Sequence, residues 1–288
     1  MWEVGRAEKN RGYAEEAMIH GNKVLLEIQG PIALITLNKP DRLNALDPGV
    51  WTELKSAAEA VEANSTVRAA ILTGAGDRAF CAGLDLKEGS TLKLEEGGSP
   101  AAALPKIHEH LRRLRSSFDS VENLPVPVIA AVRGHCIGGG TELICCCDIR
   151  IGSDDSRYSI PEVKLGIVPD MGGTQRLPRI IGIGKAKELI YSGRSIDAQE
   201  ALRIGLLNEI CPKDRVMERA YLLAREISAN APLAVQAAKK AINGGWNQNL
   251  PAGLAIENSR AAEVLLSEDA RGIRSAGVQK KEFTFKGR

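Results

Sequence analysis

The sequence predicts an α/β fold, a largely parallel sheet wrapped by helices that gives way to a helical C-terminal region. Three observations carry this expectation. Short buried-looking apolar runs such as "AAILTG" (69–74), "VIAAVRG" (128–134) and "DIRIGS" (148–153) alternate with segments whose apolar residues recur at helical spacing. From Ala198 onward the pattern is helical with short interruptions. At 288 residues and 44% hydrophobic content, the chain is long enough to bury one substantial core.

In chain order, residues 1–22 contain acidic residues and no apolar stretch, and read as a flexible extension without a secretory signal. "VLLEI" (24–28) and "IALITL" (32–37), joined by Gln29, Gly30 and Pro31, predict a hairpin. Asp47 then caps a helix over "PGVWTELKSAAEAVEA", with Pro48 suited to its first position. "GSTLKLEEGGSP" (89–100) is loop-like, and the helix after it carries a basic stripe of Arg112, Arg113 and Arg115. These features divide the chain into the extension, a core over 23–196 and a helical region over 197–288.

Several chemistries are disfavoured. A net charge of +2 gives no global pull toward nucleic acid or membrane, and the apolar runs fall far below the roughly 20 residues of a membrane-spanning helix. "GAGDRA" (74–79) formally matches a dinucleotide fingerprint, but "FCAGLDL" does not open the long helix that fingerprint needs. No glycine loop ends in Lys-Ser or Lys-Thr, no G-x-S-x-G occurs, and "HEHLR" has the wrong spacing for two zinc ligands. The histidines His108 and His110 read as solvated, and His135 points away from its neighbour Cys136 on a strand end. Cys145, Cys146 and Cys147 sit about 100° apart on a helix and do not converge on one ion, so the six cysteines read as reduced, small hydrophobes and no metal is expected.

Two glycine-containing loops remain. Gly138, Gly139 and Gly140 stand where a buried strand becomes a helix, so several backbone N–H groups there lack internal partners. "FCAGLDL" (80–86) has the same form: a strand, a tight turn, then an acid suited to capping. Two such loops can aim one N–H each at a single oxygen, and a donor placed where charge develops is worth about 3–4 kcal/mol in a transition state. Glu142 lies in the first turn of the helix after the glycines, and Glu162 follows a short strand and a proline. Facing one site, they would share a water and raise the proton affinity of one of the pair.

The segments "NKPDRLNALD", "GDRAFCAGLDLKE", "PVIAAVRGHCIGGGTEL", "PEVKLGIVPDMGGTQRLPRIIG" and "FTFK" resemble, in order, the signatures of the enoyl-CoA hydratase/isomerase (crotonase) superfamily. The resemblance covers the chain from about Val24. It implies a crotonase-like spiral of ββα units with a helical C-terminal trimerisation region, as a homotrimer or a dimer of trimers. It implies that the N–H groups of Ala82 and Gly139 bind an acyl-CoA thioester oxygen, with Glu142 activating water and Glu162 donating the α-proton. It also implies that Arg42, Leu43 and Ala45, with Ala82, Gly83, Leu84 and Asp85, line the CoA groove. Phe285 and Lys286 match a tail position that reaches CoA from a neighbouring subunit. CoA is then part of the substrate, and no separate cofactor is expected.

Asp170 departs from the hydratase pattern, which has glycine there; dienoyl-CoA isomerases carry an aspartate at this position but Asp rather than Glu at that of Glu142. The favoured reading of Asp170 is a cap for the helix at "GGTQRL", and the other is a third acid that moves protons along a conjugated chain. The expectation is a cytoplasmic enoyl-CoA hydratase, with Δ3,5-Δ2,4-dienoyl-CoA isomerisation by Glu142, Glu162 and Asp170 as the first rival. An RNA-binding member of the superfamily using the arginine stripe ranks below both.

Overall fold

A computed structural model describes residues 17–87, 100–279 and 283–288. Most of residues 1–22 and the loop at 89–99 lie outside the described residues. Strands β1 (Ala17–His20), β2 (Val24–Gln29) and β3 (Ile32–Leu37) lead into helix α1 (Pro48–Ala63), then β4 (Ala69–Gly74), β5 (Ala79–Cys81) and helix α2 (Pro100–Glu122). Next come β6 (Val128–Val132), β7 (His135–Ile137), α3 (Gly139–Ile144), β8 (Ile149–Ser153) and β9 (Arg157–Ser159). Helices α4 (Gly173–Ile181) and α5 (Ile183–Ser192), strand β10 (Ile196–Asp197), α6 (Ala198–Arg203) and strand β11 (Glu209–Cys211) follow. Helices α7 (Val216–Ser228), α8 (Pro232–Gly245), α9 (Leu250–Leu265) and α10 (Glu268–Gln279) complete the order.

The larger sheet has the order β1-β2-β3-β4-β6-β8-β11, antiparallel through β3 and parallel beyond it. The smaller sheet runs β10-β9-β7-β5, with β5, β7 and β9 parallel. Consecutive strand pairs β4/β5, β6/β7 and β8/β9 each give one strand to each sheet before the chain returns by a helix, which makes the path a spiral of ββα turns. β4 and β6 are buried along their whole length, which explains runs without polar alternation. One face packs on Trp51, Leu54 and Phe118 of α1 and α2, and the other on Val216, Ala220 and Ala224 of α7.

The hairpin, the α1 cap and the strands at β4, β6 and β8 form as expected; Asp47 accepts from Gly49 N–H at 2.8 Å and Val50 N–H at 3.0 Å. Two boundaries shift. β1 falls inside the stretch read as the N-terminal extension, and its ladder to β2 makes residues 17–20 part of the sheet. The region after 196 is not wholly helical either: β10 straddles that boundary, and β11 adds a parallel edge strand beside β8. A strand of two or three residues is too short to show periodicity, so its place comes from the neighbouring strand.

Candidate active site

The parallel strands deliver the two glycine loops to the same end of the molecule. Cys81 on β5 pairs with Cys136 on β7, so the residues that follow each of them run side by side. At Gly83, φ is +87°, and a Cβ there would lie 2.9 Å from Ile137 O and 3.6 Å from Gly139 N. Gly138 has φ +55°, and a Cβ on it would meet Glu162 Oε1 at 2.7 Å. Side chains at these two positions would push apart the loops and the acid that the fold brings together.

Hydrogen bonds decide which amides remain available. Ala82 N–H donates to Leu43 O at 3.0 Å, so it is engaged, and the assignment of Ala82 as an oxygen-binding donor is corrected. Leu46 and Leu84 form an isolated parallel bridge in which Leu46 N–H donates to Gly83 O at 2.8 Å and Asp85 N–H donates to Leu46 O at 2.9 Å. That pattern turns the N–H of Leu84 itself away from Leu46. Among the described residues, Leu84 N–H and Gly139 N–H, the latter in the first turn of α3, have no partner. Gly140 and Thr141 in the same first turn also lack a partner among the described residues, but Gly139 N is the one that lies beside Gly83, so residues 84 and 139 supply the unpaired amides where the two loops approach.

Glu142 on α3 is 2% exposed. Its Oε1 accepts from Met171 N–H at 3.1 Å and Gly173 N–H at 2.7 Å, so the turn before α4 clamps it. Burial and the nearby Glu162 push its carboxyl up to about 8, against the pull of those two N–H groups. Glu162 is 8% exposed and its Oε2 is buried without a partner among the described residues. Burial first, and then the charge of Asp170, raise its proton affinity as well.

Asp170 does not cap α4, whose N-cap is Gly172 with no side-chain hydrogen bond, and the favoured reading of this residue is thereby overturned. It is half-buried, its own proton affinity raised by burial, and its charge acts on both glutamates. His110, expected to be solvated, is half-buried on α2 and close enough to Asp170 for each to shift the other. Exposed His108 and His135, and buried Cys136, match their expected placement.

The segment 42–46 runs along 82–85 through the ladder just described, which brings Arg42, Leu43 and Ala45 onto a strand-like segment beside Gly83, Leu84 and Asp85. Asp85 caps no described helix; its buried carboxylate accepts from Arg42, Lys39 and Lys87 N–H, and the two cationic side chains help hold it down to about 2. Phe285 and Lys286 lie elsewhere in the same chain: Arg68, just before β4, donates to Phe285 O at 2.7 Å, and Lys286 N–H donates to Asp269 at 2.7 Å. This is the opposite end of β4 from the loop leading to the site, so within one chain the two residues do not line it. In the arginine stripe, Arg112 pairs with Glu109 and Arg115 with Asp119 at 3.6 Å, which neutralises much of its charge. "GAGDRA" runs into strand β5 rather than opening a helix.

Residues 27–288 match the enoyl-CoA hydratase/isomerase family. The chain belongs to this family. Among its relatives in the enoyl-CoA hydratase/isomerase family, the short-chain-enoyl-CoA hydratase of Clostridium acetobutylicum is 40% identical over 93% of this chain and 99% of its own. The crotonyl-CoA hydratase of Syntrophomonas wolfei is 35% identical over 91% of this chain and 97% of its own. A crystal structure of enoyl-CoA hydratase from Bacillus anthracis superimposes with a TM-score of 0.85 at 37% identity, covering 92% of this chain and 100% of the other. The mixed architecture of parallel sheets and helices is thus that of crotonase-fold enzymes.

Sequence reasoning missed Leu84 as a donor, the N–H groups of Met171 and Gly173 that hold Glu142, and Lys39. The glycine and acid flanking Leu84 marked its loop, but no local signal tells which amide a carbonyl 39 residues upstream will occupy.

Proposed function

We propose that this protein is an enoyl-CoA hydratase, adding water across the 2,3 double bond of a trans-2-enoyl-CoA in acyl-CoA degradation. The observation that carries the reading is the placement of two buried carboxyls, Glu142 and Glu162, beside two loops whose Leu84 and Gly139 amides are unpaired. The thioester oxygen accepts from both amides, which stabilise the negative charge it gains as the β-carbon is attacked. Two carboxyls this close do not both ionise readily, so near neutral pH the pair holds one proton. The pair exchanges that proton, and in the microstate that carries it on Glu162, Glu142, whose Oε1 accepts two N–H groups, is the carboxylate that draws a proton from water as the oxygen bonds to the β-carbon. Glu162, whose Oε2 is unpaired, suits the acid that protonates the α-carbon. The oxyanion collapses to the thioester as that proton arrives, and the proton taken from water restores the pair.

CoA lies along residues 42–45 and 83–85, with Arg42 toward its phosphates, and no other cofactor takes part. Large apolar side chains exposed on and just after the C-terminal helices, among them Trp246, Leu250, Leu265 and Leu266, suit burial in a homotrimer or a dimer of trimers. In such an assembly Phe285 and Lys286 reach the groove of a neighbour. No helix among the described residues is long and apolar enough to cross a membrane, which accords with a cytoplasmic enzyme.

The test is hydration of crotonyl-CoA by purified protein, followed by loss of the conjugated-thioester absorbance. Glu142→Gln and Glu162→Gln should each reduce turnover by about 10²–10⁴-fold. The charge of Asp170 beside both glutamates favours a second reading, dienoyl-CoA isomerisation. Absence of crotonyl-CoA hydration together with turnover of a 3,5-dienoyl-CoA would establish that alternative.

A further inference from the structure

Lys39 lies between the two segments that line the groove. Its ammonium donates to Asp47 Oδ2 and, at 3.3 Å, to Asp85 Oδ2. The other oxygen of Asp85 accepts from Arg42 Nη2 at 2.8 Å and from Lys87 N–H at 3.1 Å. The side chains of Asp47 and Asp85 are 0% and 1% exposed, that of Lys39 12%, and that of Arg42 41%. Lys39 is therefore enclosed between two buried acids, and Arg42 is the cation of the pair that faces solvent.

This ammonium braces both sides of the bridge that aims Leu84. Leu46 precedes Asp47, and Leu84 precedes Asp85; each acid is held by the same Lys39. Asp47 is itself fixed by capping α1 and by a 2.8 Å contact from Lys23, so the brace is anchored to a helix of the core. The direction of an N–H is set by its peptide plane; the plane of residues 83–84 is tied to Leu46 through Gly83 O, and the next plane is tied to Leu46 through Asp85 N–H.

We propose that Lys39 is a positioning residue for the reaction: by bridging Asp47 and Asp85 it holds the Leu84 N–H in line with the substrate thioester oxygen. The inference rests on the hydratase reading above. It assigns Lys39 a share in turnover and not in CoA affinity, because its ammonium is enclosed by acids and is not presented to a phosphate.

The experiment uses the full-length protein with Lys39→Met, Lys39→Arg, Asp85→Asn and the double variant Lys39→Met/Asp85→Asn. Displacement of one oxyanion donor should lower kcat about 10- to 100-fold in K39M, with KM for crotonyl-CoA within about 3-fold of the parent. K39R should recover most of the loss. Because Lys39 acts through Asp85, K39M should cost little more in the D85N background. A conjugated aryl-acryloyl-CoA bound to the parent should show a red-shifted absorbance from carbonyl polarisation, and the shift should shrink in K39M. An unchanged kcat and red shift in K39M, a rise in KM alone, or an equal loss in both backgrounds would overturn the proposal. If K39M does not fold, D85N alone carries the test, and wild-type kcat and red shift in D85N overturn it. Failure of the parent to hydrate crotonyl-CoA would count against the functional reading instead, and the red shift would still report on positioning.

Discussion

Gly173→Ala isolates the clamp on Glu142. Gly173 is the first residue of α4, and its φ lies outside the left-handed region, so alanine fits its backbone. The added Cβ would stand 2.7 Å from Glu142 Oε1, 2.9 Å from Glu142 Cγ and 3.0 Å from Pro169 Cβ. The nearest two are closer than a Cβ tolerates, so the Glu142 side chain must swing away, and the 2.7 Å bond from Gly173 N–H is the first to break. A hydrogen bond to a charged group is worth about 1.5–3 kcal/mol. If the bond contributes fully at the transition state, its loss corresponds to about 10- to 100-fold in rate.

The assay is the steady-state hydration of crotonyl-CoA, with thermal unfolding measured on the same samples. We expect kcat to fall by that factor with a small change in KM, and the unfolding midpoint to drop by several degrees while the protein stays folded at the assay temperature. Gly184→Ala on α5, where a Cβ meets nothing within 4 Å and φ is ordinary, is the matched control and should leave kcat unaltered. Parental kcat in G173A would show that the carboxylate position set by the α4 turn does not matter to the chemistry.

Other outcomes follow from the same geometry. The charge of Asp170 raises the proton affinity of Glu142 and Glu162, so Asp170→Asn should move the alkaline limb of the kcat/KM profile to lower pH; an unmoved limb would separate Asp170 from the pair. Glu142 is held up at about 8 from an ordinary value of 4.5, so the stability tied to its neutral form is complete below 4.5 and is lost as pH rises through 8. Glu142→Gln should accordingly raise the unfolding midpoint more at pH 8 than at pH 5, and equal shifts in urea or thermal melts at both values would contradict this. Asp47→Ala removes the α1 cap and leaves Lys39 with one acid, for a loss of about 2–4 kcal/mol in denaturant unfolding; a loss below about 1 kcal/mol would show that the cap and the ion pairs contribute little.

The long strands and helices were legible because each has to satisfy its own burial. β4 reads as a strand from "AAILTG" alone, since six consecutive buried residues between turn signals leave few other choices. β7, β9 and β11 have three residues each and contain no pattern that a loop could not show; each exists because a neighbour offers an open edge, β5 to β7, β7 to β9 and β8 to β11. At the candidate site the motifs pointed to Glu142, Glu162 and Gly139, residue types with few structural uses in that order, and the structure buries both glutamates and starts α3 at Gly139. Ala82 was misassigned because its neighbour two positions on differs only in where its N–H points, and Leu43 O settles that across 39 residues. Asp170 misled in the opposite way: an acid just before a helix usually caps it, but Gly172 turns the chain so that the acid falls beside the glutamates.

The carboxyl pair makes sense of where stability is concentrated around it. A buried Glu162 oxygen without a partner among the described residues and a Glu142 pushed well above its ordinary proton affinity both oppose folding as pH rises, and the charge of Asp170 adds to this. The ion-pair cluster at Lys39 is built the other way, with Asp47 and Asp85 both held down to about 2 by lysine and arginine partners. An acid stabilised in its charged form fixes backbone, whereas an acid kept close to neutrality exchanges protons. Gly83, two residues before Asp85, packs beside Gly139 at the start of the helix that carries Glu142, so on the hydratase reading the Leu84 amide belongs to the fixed side and the reacting carbons to the other. Weakening the rigid set should therefore slow turnover without moving the pH profile, and altering the proton-exchanging set should move the profile first.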